Sequence, residues 1–129
     1  MIVLDASAAI DWLLQTPAGR GIDARIYARN ESLHAPHLLD LEVAQVLRRL
    51  LREGLISERR AAEAMEDLKD LRVTRYPHFV SLPRIWELRH NLTAYDAVYI
   101  ALAENLGATL ISRDGRLARG VCHATVEVF

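Results

Sequence analysis

Apolar positions along this chain follow two rhythms. Residues 2–4 (IVL) and 108–112 (ATLIS) are short unbroken apolar runs of the kind buried in parallel sheets. The stretch HLLDLEVAQVLRRLLRE repeats its apolar residues every three to four positions, as one face of a helix does. Reading onward, Ser7 is placed to cap a helix running to about Leu14, and Thr16 with Pro17 forms the N-cap and first position of another reaching about Arg29. A strand over 32–35 precedes Pro36, the amphipathic helix over 37–53 stops at Gly54, and Ser57 caps a helix to about Leu71. Residues 72–76 read as a strand ended by Pro77, and 79–91 as a helix with Pro83 in its first turn or as its start. A helix over 94–106 ends before Gly107, Asp114-Gly115 is a turn, and TVEVF at 125–129 is the last strand.

Four or five strands interleaved with helices predict an α/β fold with a mainly parallel sheet covered on both faces, because parallel pairing requires crossovers. In such a sheet the strand ends and following helix starts gather on one rim, where ligands bind. Topology alone assigns four acids to that rim: Asp5 after the first strand, Glu42 early in helix 37–53, Asp96 in the first turn of helix 94–106, and Asp114 after strand 108–112.

Each acid also has an ordinary explanation. Thr93 and Asp96 match a capping box, yet Asp96 shares its helix face with Tyr99, Ile100 and Ala103 and so points inward. Glu42 lies at the border of an apolar face between Leu39 and Val46, where a plain surface glutamate and a ligand are equally natural. Asp40 lies roughly 200° away around the wheel and is placed to favour the helix dipole. Asp114-Gly115 is a common turn pair, whereas Asp5, directly after Ile-Val-Leu, has the least comfortable alternative because semi-buried carboxylates are rarely left unpaired. Ser7 could also orient a metal-bound water.

Composition narrows the chemistry. With 129 residues the chain is read as one domain over 1–129, and Cys122 is its only cysteine, which excludes an internal disulfide and a cysteine-based zinc site. No signal-peptide pattern or membrane-length apolar run is present, so a cytoplasmic protein is expected. The net charge is −1, and gathering four acids into one pocket leaves the remainder at +3. Fifteen of the sixteen basic residues are Arg, with Lys69 the exception, a bias that either GC-rich codons or phosphate recognition explains. Four carboxylates on one rim repel one another, and oxygen donors without Cys or His suit Mg²⁺ or Mn²⁺. His34, His37, His78, His90 and His123 show no paired spacing and are read as structural or exposed.

The stretches MIVLDASAAIDWLL, LEVAQVLRRL and LTAYDAVYIALAENLGATLISRD, taken in order, resemble PIN-domain proteins of the VapC toxin type. The resemblance covers nearly the whole chain, with segment 55–90 contributing little beyond length and helical character. It implies a divalent-metal-dependent endoribonuclease in which Asp5, Glu42, Asp96 and Asp114 hold Mg²⁺ or Mn²⁺, supported by the hydroxyls of Ser7, Thr93 and Ser112. Ser112 stands where the family more often has Thr. The ion would activate a water for in-line attack at phosphorus, leaving a 5′-phosphate. The resemblance further implies a homodimer held inactive by a VapB-like antitoxin, with helices 37–53 and 57–71 near the partner. The alternative is a catalytically silent PIN fold that binds RNA or protein. A receiver domain would need a lysine after a late strand, and a haloacid-dehalogenase-like phosphatase a second Asp at the place of Ser7.

Overall fold

The computed structural model describes residues 1–119 and 122–129. Five parallel strands form its sheet: β1 (Ile2–Leu4), β2 (Leu33–Pro36), β3 (Val73–Tyr76), β4 (Thr109–Ser112) and β5 (Val126–Val128), in the spatial order β3-β2-β1-β4-β5. β1 is central, with Ile2 opposite both Leu33 and Thr109. Successive side chains on a strand face opposite ways, and Ile2, Val3 and Leu4 are all fully buried, so both faces of the sheet are covered. The cover comes from α1 (Ala6–Leu13), α2 (Pro17–Ala28), α3 (Leu38–Arg52), α4 (Glu58–Asp70), α5 (Leu82–Glu87) and α6 (Ala94–Leu106). The predicted α/β class and parallel sheet are therefore present, with five strands.

Helix α6 packs across β1, β2 and β4, and every residue from Ala97 to Ala103 is buried, which accounts for its apolar character on all sides. Gly107 ends it in the left-handed conformation at φ 59°, where a residue without Cβ is favoured. Helices α1 and α2 meet closely enough that a Cβ on Gly19 would lie 1.9 Å from the Asp11 carbonyl oxygen. Buried Leu39, Val43 and Leu47 of α3 and Ala61, Ala64 and Leu68 of α4 belong to the interior, so the apolar faces of that amphipathic pair point into the core. Among the described residues no helix is long and apolar enough to cross a membrane.

Three local expectations are corrected. Ser7 does not cap α1; Asp5 does, because the strand ends at Leu4 and Asp5 is the extended residue, its Oδ1 accepting the Ala8 N–H at 2.9 Å. Residues 79–91 do not form one helix. Pro83 occupies the first turn of the six-residue α5, and 3₁₀ turns at Phe79–Ser81 and Leu88–His90 flank it. Pro36 lies within β2 as its last residue rather than after it. The remaining boundaries lie within a residue or two of expectation, and Thr16, Ser57 and Thr93 each accept an N–H three residues on, as caps do.

Candidate active site

The order β3-β2-β1-β4-β5 reverses between β1 and β4, and the crevice outside their carboxyl ends is where an open parallel sheet binds ligands. A cleft of about 330 Å³ opens there, and Asp5, Glu42, Asp96 and Asp114 all line it, together with Ser7, Gln45 and Tyr99. The fold thus brings together on one rim all four acids that topology assigned to it.

Asp5 is the deepest of them, 6% exposed. Its Oδ1 accepts the Ser7 hydroxyl at 2.6 Å as well as the Ala8 N–H, and its Oδ2 accepts the Ser112 hydroxyl at 2.5 Å. Ser112 joins the two central strands in this way, since it ends β4 while Asp5 follows β1. Burial pushes the Asp5 carboxyl above the usual range, the three donors pull it back, and the charge of Asp96 raises it further. Both serines also accept backbone N–H groups, Ser7 from Arg113 and Ser112 from Asp114, each at 2.9 Å, which pins the loop carrying Asp114 to the base of the cleft.

Glu42 comes from the second turn of α3, and its Oε2 accepts the Tyr99 hydroxyl of α6 at 2.6 Å. Burial raises its carboxyl, the Tyr99 hydrogen bond opposes this, and Asp96 and Asp5 add repulsion. Burial and the neighbouring Glu42 carboxylate push the Tyr99 phenol far up, so it stays a proton donor. Tyr99 was not among the expected site residues, although its place one turn after Asp96 on the inward face was the available signal. Asp96 is half-buried; its backbone N–H donates to the Thr93 hydroxyl at 3.1 Å, and no hydrogen bond to its carboxylate is present among the described residues. Asp114 is instead drawn below the usual range by the Arg116 guanidinium beside it. Asp40 is held away from the cleft by a bidentate pair with Arg75 at 2.8 and 3.0 Å.

The donor set is four carboxylates and no nitrogen or sulfur, two of them pushed up by burial and by one another, which suits a hard divalent cation. Among the described residues no group of three or more acid, His or Cys side chains is already drawn into an arrangement that could hold an ion. His34 is buried between Ser32 and Tyr76, each at 2.8 Å from a ring nitrogen, and is structural; His37, His78, His90 and His123 are exposed.

The family model of the PIN domain matches residues 2–120. The chain belongs to the PIN-domain family. Ribonuclease VapC9 of Mycobacterium tuberculosis is 45% identical over 118 residues, covering 92% of this chain and 89% of that protein. The crystal structure of PAE2754 from Pyrobaculum aerophilum superposes with a TM-score of 0.72 at 26% identity, covering 98% of this chain and 83% of that one. VapBC2 from Rickettsia felis, crystallised with a DNA fragment from its promoter, shares the fold at a TM-score of 0.70 and 14% identity, with 98% of both chains covered. The match to the PIN-domain family model spans Asp5, Glu42, Asp96 and Asp114.

Proposed function

We propose that this PIN domain is a VapC-type endoribonuclease, the toxin of a toxin–antitoxin pair, which hydrolyses RNA phosphodiesters with Mg²⁺ or Mn²⁺ in the cleft formed by Asp5, Glu42, Asp96 and Asp114. The observation that carries the reading is the convergence of these acids, drawn from four separate segments, on one rim of a sheet whose relatives are VapC ribonucleases. Asp5 and Asp96 are the principal ligands, with Glu42 and Asp114 completing the set. One bound ion would offset two of the four carboxylate charges and two would neutralise the pocket for an anionic substrate, the chemistry supplied being activation of a water and stabilisation of the leaving 3′-oxygen.

The chain's own groups do the positioning. The Ser7 and Ser112 hydroxyls donate hydrogen bonds to Asp5, which oppose the upward push of burial and turn its oxygens to fixed directions; the two hydroxyls are therefore orienting groups rather than nucleophiles. Tyr99 does the same for Glu42. Asp96, with no hydrogen bond to its carboxylate among the described residues, is the acid most open to a new ligand. Cleavage at phosphorus leaves a 5′-phosphate and a 3′-hydroxyl. A VapB-like antitoxin, a homodimeric state and a cytoplasmic setting belong to the same proposal, which the 45% identity to a VapC ribonuclease supports.

The experiment is cleavage of a structured RNA by purified protein with Mg²⁺, with Mn²⁺ and with EDTA, alongside Asp96→Asn. Cleavage only with the ion, lost in the folded variant, is the expected result. Activity that persists in EDTA overturns the metal mechanism, and a folded protein that binds RNA without cutting it favours a silent binding module.

A further inference from the structure

Asp114 differs from the other three acids in carrying a guanidinium. Arg116 places Nε 3.0 Å from both carboxylate oxygens and Nη2 2.5 Å from Oδ2, while its backbone N–H donates to Oδ1 at 2.9 Å. Its side chain is 77% exposed, so charge rather than packing holds it in place. Among the described residues no salt bridge reaches Asp5, Glu42 or Asp96. Asp96 adds its attraction across the cleft, so Arg116 lies in the field of two of the four acids.

An arginine in that position does for one carboxylate what a divalent ion does for the group. The two cations cannot both take the same lone pairs of Asp114. Exposed ion pairs are weak and give way to a stronger ligand. A guanidinium released two residues from an ion ligand stands beside the place where a phosphate meets the ion, and its fork of donors matches phosphate oxygens.

We propose that Arg116 is the resident counter-ion of Asp114, displaced when a divalent ion enters the cleft and transferred to a non-bridging oxygen of the RNA phosphate. The proposal rests on the nuclease reading. It predicts effects of opposite sign on the two ligands, which a merely structural role does not produce.

The test compares wild type with Arg116→Gln, whose exposed position leaves folding intact by thermal melting. Mn²⁺ binding to the RNA-free proteins is measured by calorimetry, and binding of a single-stranded RNA oligonucleotide is measured in Ca²⁺ over a range of salt, with the RNA checked for integrity. Arg116→Gln is expected to bind Mn²⁺ about two- to fivefold tighter, since the ion no longer displaces a pair. It is expected to bind RNA more weakly, with the slope of log affinity against log salt reduced by about 0.7, one phosphate contact on a single strand. Equal Mn²⁺ affinity or an unchanged salt slope overturns the proposal. A wild-type protein that binds no Mn²⁺ removes the metal-dependent reading itself, and this one with it.

Discussion

Tyr99 donates its phenolic proton to Glu42 at 2.6 Å, linking α6 to α3 across the mouth of the cleft. The pair sits between two opposing tendencies: burial and the charges of Asp96 and Asp5 push the Glu42 carboxyl up, and Tyr99 pulls it down. Tyr99→Phe removes the pull and leaves a part-buried carboxylate without its donor, at a cost of roughly 1–3 kcal/mol in stability. A proton then competes harder with an ion for Glu42. Calorimetry at neutral pH is expected to show Mn²⁺ affinity reduced in Tyr99→Phe and recovered as pH rises. Unchanged affinity at every pH reduces Tyr99 to a packing residue.

Thr93 and Asp96 separate capping from ligation. The Thr93 hydroxyl accepts the Asp96 N–H, while the Asp96 carboxylate makes no return bond to the backbone among the described residues. The stabilising half of the capping box therefore lies in Thr93. Thr93→Ala is expected to cost about 1 kcal/mol. Asp96→Asn is expected to leave the ion-free protein as stable as wild type or more so, because one of several repelling charges is gone. Paired denaturant melts in EDTA decide this: a clear loss for Asp96→Asn assigns Asp96 to the cap.

The rim was legible because it depends on order and topology alone. Once β1 and β4 are read as parallel neighbours, Asp5 and Asp114 must leave the sheet at the same edge, and Glu42 and Asp96 in the early turns of their helices must lie above it. What could not be read was decided by distances between remote atoms. Ser7 lost the cap because Asp5, the last extended residue, reaches Ala8 with a carboxylate, which freed the serine hydroxyl to serve Asp5 and Arg113. The Tyr99–Glu42 pair spans 57 positions, and no local period signals it. Arg116 folds back on Asp114 through the geometry of a turn whose Asp-Gly signature is common to turns of every purpose. Segment 79–91 broke because helical periodicity cannot say how short turns will seat Ile85 and Leu88 in the core around Pro83.

The pH dependence of stability follows from the same acids. Asp5 and Glu42 have folded-state pKa values raised above their ordinary ones, mainly by burial, so their contribution is fully present below the ordinary value and lost as pH rises through the raised one. Glu104 and Asp114 run the other way, held down by Arg84 and Arg116; their contribution is present above the ordinary value and lost as pH falls through the depressed one. Ion-free protein should therefore gain stability as pH falls through the raised Asp5 and Glu42 values toward the ordinary carboxylate range and lose it in stronger acid, as pH falls through the depressed Glu104 and Asp114 values. Mn²⁺ should reverse the upper slope, since the ion binds only the deprotonated acids. Denaturant melts across this range with EDTA and with Mn²⁺ check both signs. Ion-free stability that only falls as the solution is acidified from neutral pH contradicts the raised carboxyls of Asp5 and Glu42.

Gly19 tests whether the packing that supports Asp5 is as tight as it looks. Its missing side chain lets α2 cross α1 with a Cβ position only 1.9 Å from the Asp11 carbonyl oxygen and 3.0 Å from the Trp12 nitrogen, both backbone atoms that cannot swing aside. Gly19→Ala must separate the two helices, and overpacking of this kind costs about 1–3 kcal/mol or more, outweighing the roughly 1 kcal/mol that Ala gains in helix propensity. The displacement would propagate along α1 to its amino end, where Asp5 caps the helix and receives Ser7. Gly19→Ala is thus expected to lower the melting temperature and, in the protein that remains folded, to weaken Mn²⁺ binding, although Gly19 is not among the residues lining the cleft. A variant with lower stability but wild-type Mn²⁺ affinity shows instead that α1 absorbs the shift before it reaches Asp5.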